Sequence, residues 1–125
     1  MKLEQLSWTP AEGWTTERSE LQEPGAAQLA LVFCSPKSLE DLSFIEELQG
    51  KFPEARIIGG STAGNIQDTS VSDAGAVATV IHLEKGRANV VTTDIDAPAE
   101  VRGTARKVVE GLLADDLKHI FVLSD

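Results

Sequence analysis

Two short apolar runs separated by one amphipathic segment constrain this chain more than any other feature. "QLALVFCS", residues 28–35, is a continuous apolar stretch bounded by Pro24-Gly25 before and Ser35-Pro36 after, which predicts a buried strand. "SLEDLSFIEELQGKF" follows, with Leu39, Leu42, Ile45 and Leu48 at helical spacing and Phe44 on the apolar side. Ser38 and Asp41 suit its amino-terminal cap and Gly50 its end. "ARIIGG", residues 55–60, is a second strand-like run. Strand, helix and strand in about 30 residues make a βαβ unit, hence a parallel pair with a right-handed crossover.

The rest of the chain extends that unit. Residues 1–27 read as an irregular N-terminal arm whose Trp8 and Trp14 cover an edge of the domain or a part of a longer protein, leaving 28–125 as the domain proper. "STAGNIQDTSVSDA", residues 61–74, lacks apolar periodicity and reads as a loop. "GAVATVIHLE" and "RANVVTTDI" flank Lys85-Gly86 and predict a hairpin. In the first run Ala76, Ala78, Val80 and His82 share one face and Val77, Thr79, Ile81 and Leu83 the other, so the sheet is expected to be partly covered on both sides. "APAEVRGTARKVVEGLLADD" carries an apolar stripe of Val101, Ala105, Val108, Val109, Leu112 and Leu113, with Pro98 in the first turn of a second helix. "HIFVLSD" reads as a further strand, and a strand of that kind at the very end suggests a piece of a longer protein. The expected fold class is α/β: a mixed sheet of about five strands with a βαβ unit, a hairpin and two helices.

Composition narrows the function classes. With aromatics at 5% and no tyrosine, a 125-residue chain must build an aliphatic core. A net charge of −9 argues against nucleic acid, whose phosphates call for surplus Lys and Arg, and equally against an anionic membrane surface. One cysteine, Cys34, excludes an intramolecular disulfide, and no run is apolar enough to span a membrane. A cytoplasmic location follows as the expectation.

The candidate site is "GGSTAGN". Gly59, Gly60 and Gly64 surround Ser61, Thr62 and Ala63, and Asn65 follows. Glycines that take positive φ let successive N–H groups form an anion-binding nest, to which the Ser61 and Thr62 hydroxyls would add bonds. The loop falls at the carboxyl end of a parallel strand, where open α/β sheets bind ligands. The alternative is a plain turn. The stretch is not a Walker loop, since no Lys follows the glycines, nor G-x-G-x-x-G, nor G-x-S-x-G, since Ala63 replaces the closing glycine. Cys34 ends the first strand and either lines the same pocket or is a small buried hydrophobe. His82 and His119 read as packed or edge residues and show no metal-ligand spacing with Cys34.

The combination of "LALVFCS", a helix, "FPEARIIGGSTAGNI", a polar loop and two strands resembles the N-terminal half of a FIST domain. The family hallmark is a strand running into Gly-[Gly/Cys]-Ser-Thr-x-Gly after a Phe-Pro, matched here by Phe52, Pro53, Ile57, Ile58, Gly59, Gly60, Ser61, Thr62, Ala63 and Gly64. The resemblance spans roughly residues 28–125. Many members carry Cys where Gly60 stands and an acidic residue where Asn65 stands. It implies a sensory domain that binds a small ligand, an amino acid or similar polar metabolite, and reports to a signalling output domain or protein. Some members bind haem and respond to nitric oxide, which makes haem a candidate cofactor, with no ligand mapped to His82 or His119. The competing classes are a hydrolase-like enzyme with Ser61, Thr62 or Cys34 as nucleophile, and an interaction module, a homodimer, built on an exposed sheet edge or on the tryptophans.

Overall fold

The computed structural model describes residues 1–67, 70–72, 74–94 and 100–124, which fall into two compact units, Met1–Ala88 and Asn89–Asp125. The first holds a five-stranded mixed sheet in the order β2-β1-β7-β3-β4. The strands are β1 (Lys2–Thr9), β2 (Gly13–Ser19), β3 (Leu29–Cys34), β4 (Arg56–Ser61) and β7 (Ala76–His82), while β5 (Asn65–Gln67) and β6 (Ser70–Ser72) form a separate ribbon. β3 and β4 are parallel and joined by helix α1 (Ser43–Lys51), the expected βαβ unit. Every other pair in the sheet is antiparallel.

The α/β class and the strand number hold, but the strands are drawn from different segments than expected. Residues 2–19, read as an irregular arm, form the β1–β2 hairpin and supply two of the five strands. Polar Thr, Glu and Ser on β2 mask it, because that strand lies at the sheet edge with its outer residues exposed. The hairpin expected at Lys85-Gly86 does not form: residues 87–94 are not strand, and Ile95 lies outside the described residues. The reason is topological, since β7 already pairs with β1 on one side and β3 on the other and has no free edge.

The expected loop at 61–74 contains the β5–β6 ribbon, and β4 runs on through Ser61. Residues 119–124 form no strand despite their apolar sequence, which supplies propensity but not a pairing partner; Asp125 is outside the described residues.

One face of the sheet carries the core. Leu6 and Trp8 of β1, Ala30, Val32 and Cys34 of β3, and Ala76, Ala78 and Val80 of β7 are buried with Phe44 and Leu48 of α1 and with Phe52 and Ala55. Val77, Thr79 and Ile81 on the opposite face are half-buried, in keeping with the alternation. The expected helix from 38 divides into a 3₁₀ turn, Pro36–Glu40, and α1. The Ser43 amide donates to the Asp41 carboxylate at 2.9 Å and, with the Ser43 side chain, holds that carboxyl below its usual range. The split turns Leu39 and Leu42 outward and leaves Phe44 and Leu48, one turn apart, as the buried face.

Both tryptophans pack on α1. The Trp8 ring lies 5.2 Å from that of Phe44, and Trp14 Nε1 donates to the Phe44 carbonyl at 2.7 Å. Behind them Glu4, a buried carboxylate, accepts from Thr16 Oγ1 at 3.0 Å and Ser19 Oγ at 2.9 Å and pairs with Lys51 Nζ at 3.2 Å. That cluster fastens the end of α1 to the hairpin.

In the second unit α2 spans Val101–Leu112, shorter than the stretch read from sequence, and Pro98 lies outside the described residues. The helix is amphipathic and has no buried side chain; Val101 and Val109 are exposed and Val108 and Leu112 half-buried. Among the described residues no helix is long and apolar enough to cross a membrane.

Candidate functional site

The parallel register brings together most of the residues singled out in the sequence. Cys34 faces Ser61 across the β3–β4 pair, and the Cys34 Sγ lies 4.0 Å from the Gly60 carbonyl oxygen. The carboxyl ends of β3 and β4 therefore meet where an open α/β sheet presents its ligand site. Asn65, opening β5, joins them through a hydrogen bond from Nδ2 to the Gly75 carbonyl at 3.2 Å. That carbonyl also accepts from the Ser35 amide at 2.9 Å and Ser38 Oγ at 3.3 Å, so one oxygen ties together the end of β3, the 3₁₀ turn, β5 and the entry to β7.

The two leading glycines serve the sheet and not a turn. A Cβ on Gly59 would lie 1.7 Å from the Val32 carbonyl oxygen, so only glycine lets the two backbones approach this closely. A Cβ on Gly60 would meet nothing within 4 Å. None of Gly59, Gly60 and Gly64 takes the positive φ that a nest requires; Gly13 and Gly75 do. The Arg56 and Thr62 amides donate to the Gln28 and Cys34 carbonyls at 3.0 and 2.9 Å. Alternation along a parallel ladder then points the Ile58 and Gly60 amides inward as well, and those of Ile57, Gly59 and Ser61 toward the free edge.

Beyond the strand, the Thr62 hydroxyl donates to the Gly64 carbonyl at 2.5 Å and accepts from the Gly64 amide at 2.9 Å. This closes a tight turn in which the Thr62 hydroxyl and the Thr62 and Gly64 amides are already engaged. Ala63 is exposed, and its amide has no partner among the described residues.

The strongest chemical signal is one that the glycine pattern did not give. Asn65 is 3% exposed, and its Oδ1 is buried with no hydrogen-bond partner among the described residues. Because the Gly75 carbonyl only accepts, the amide must turn its NH₂ toward it, which leaves Oδ1 as a fixed acceptor. Leaving such a group unsatisfied costs about 1–3 kcal/mol.

The same environment speaks against nucleophilic chemistry. Cys34 is buried, and burial pushes its thiol pKa up, which keeps it neutral. His82 closes β7, six residues along the strand from Ala76, the residue opposite Cys34. At about 3.3 Å per residue that is roughly 20 Å from the Ser61 end, beyond general-base reach. His82 Nδ1 lies 2.6 Å from the Ala26 carbonyl, and His119 is exposed.

The setting of His82 does not fit haem. The cleft that His82 lines with Lys2, Leu21 and Glu23 holds about 250 Å³, below the roughly 300–1,000 Å³ of pockets for drug-sized ligands. Among the described residues no group of three or more His, Cys, Asp or Glu is placed to hold a metal ion.

Comparison with protein families matches residues 28–125 to the FIST N domain. No curated protein and no solved structure matches the chain.

Proposed function

We propose, from the premise that this chain belongs to the FIST N domain family of signal-transduction sensory domains, that it binds a small polar ligand where β3 and β4 end. The observation that carries this reading is the buried Oδ1 of Asn65, unpartnered among the described residues. The guest it suits offers an N–H or O–H donor, as the ammonium group of an amino acid does. A second group on the ligand that accepts a hydrogen bond is served by the open Ala63 amide, with the Ser61 hydroxyl alongside. Gly59, Gly60 and Cys34 shape the floor of this site, and Thr62 and Gly64 close its turn.

Burial of Oδ1 also supplies a sensing mechanism. A ligand that reaches it requires local opening of the backbone around Asn65, so occupancy and loop conformation are coupled, and the ligand stabilises the open population by its differential affinity. An output domain or protein partner reads that shift. Binding, and not turnover, is the role of a site whose thiol is held neutral and whose Thr62 hydroxyl is bound at both ends to Gly64.

The test is thermal denaturation of the full chain against a panel of amino acids and small amides. At a hundred times the dissociation constant a ligand stabilises by about 2.7 kcal/mol. A hit whose stabilisation vanishes in Asn65→Ala supports the site. A hit that Asn65→Ala leaves unchanged places the ligand elsewhere.

A further inference from the structure

Strand β4 also has a free edge. Strand β4 is paired only by β3 among the described residues, and Gly59, Gly60 and Ser61 are exposed. The ladder directs the amides and carbonyls of Ile57, Gly59 and Ser61 outward, which makes an unpaired hydrogen-bonding template. Native edges are guarded by lysine, proline, a bulge or brevity. β4 has none of the first three: its six residues, RIIGGS, pair with β3 without a register shift, and their single charge is Arg56.

We propose that β4 is a self-association edge, on which a second copy of this chain adds its own β4 antiparallel about a two-fold axis through Gly59. It shares Gly60 and Ser61 with the proposed ligand site but does not involve Asn65, so the oligomeric state is read separately from ligand binding. The register follows from the residues that face outward. Gly59 meets Gly59 of the partner subunit, and Ile57 meets Ser61 of the partner subunit, all as hydrogen-bonded pairs.

The intervening position opposes Ile58 to Gly60 of the partner subunit, with both side-chain positions on the same face. Gly60 is the residue whose Cβ would meet nothing within 4 Å, so the partner's Ile58 enters vacant space beside half-buried Phe33. Both halves of the pair are thus filled by one sequence, the self-complementarity that a two-fold interface requires. Charge permits it. Arg56 faces Thr62 of the partner subunit, and the two arginines lie at opposite ends of the paired strands. The net charge of −9 on each copy opposes association at long range, and salt screens that term, to a Debye length of about 8 Å at physiological ionic strength.

Light scattering on the full chain over a concentration series, at low and at physiological salt, tests the interface. The expected result is a monomer–dimer equilibrium whose dimer fraction rises with concentration and with salt. Gly60→Val fills the space that the partner's Ile58 needs, and Ser61→Pro removes an outward amide that an edge strand can spare. Each variant is expected to stay monomeric at concentrations where the parent dimerises, while melting within a few degrees of it. A monomeric parent at every concentration overturns the proposal. So does a parent dimer that both folded variants retain. Should Ser61→Pro fail to fold, Gly60→Val decides alone, because a Cβ at that position meets nothing within 4 Å.

Discussion

Gly59 and Gly60 are neighbours in one strand, yet alanine at the two positions should behave in opposite ways. At Gly59 the new methyl is built 1.7 Å from the Val32 carbonyl oxygen, whereas an ordinary carbon–oxygen contact is roughly 3.3 Å. The strands must separate locally by about 1.6 Å against a normal spacing of about 4.8 Å. β3 cannot yield, because β7 holds its other side. The displacement has to come from β4, and the β3–β4 hydrogen bonds flanking Gly59 are lost or stretched. Two such bonds at about 1 kcal/mol each, with about 1–3 kcal/mol for overpacking, give a loss of about 3–5 kcal/mol.

That is a large share of the 5–15 kcal/mol typical of a whole domain, and it lowers Tm by roughly 10–20 °C in a chain of this size. Gly60→Ala adds its methyl to open space and restricts the unfolded chain, so it should be neutral or stabilise by up to about 1 kcal/mol. Urea denaturation of the two variants beside the parent measures the difference. If Gly59→Ala proves as stable as Gly60→Ala, the close approach of β3 and β4 at Val32 is wrong, and with it the argument that Gly59 serves packing.

Two further perturbations probe the core. Lys51→Met removes the cation from buried Glu4 and leaves its carboxylate to the Thr16 and Ser19 hydroxyls alone, which should cost about 1–3 kcal/mol by urea denaturation; adding Glu4→Gln should recover part of that loss. The raised thiol pKa of Cys34 means that the unfolded state releases its proton first as pH climbs, so the folded state then binds more protons and stability falls above about pH 8.5. Cys34→Ser should flatten that alkaline slope in a series of melting curves, and an unchanged slope would show that the thiol is not its source.

The βαβ unit was legible because its strands are continuous apolar runs and its helix has a buried i,i+4 pair. The β1–β2 hairpin was not. On β1, Glu4 stands among the inward residues Leu6 and Trp8, and it takes the Thr16 and Ser19 hydroxyls and the pairing with Lys51, 47 positions away, to make that carboxylate acceptable inside. β2 presents Thr, Glu, Arg and Ser to solvent and shows no alternation. The tryptophans six apart were the usable clue, since both reach Phe44. Residues 87–94 failed in the opposite sense: they have strand composition, but the edge they would need on β7 is taken by β1, a pairing between positions about 75 apart that no local pattern encodes. At the site, sequence marked the correct strand ends and brought Cys34 to Ser61. It could not reveal which amides the ladder consumes, which depends on the β3–β4 register, or that Asn65 would be sealed with an acceptor to spare, which depends on Gly75.

The central place of β7 bears on how this molecule is made. Synthesis delivers the β1–β2 hairpin first and the β3–α1–β4 crossover second, and neither touches the other within the sheet. Only when residues 76–82 arrive can a single strand slot between them and weld the halves, closing sequence separations of about 75 residues on one side and about 50 on the other. Until that moment a ribosome carries two half-sheets, each with a bare margin, so the interval before β7 emerges is when a nascent chain most needs shelter from its neighbours.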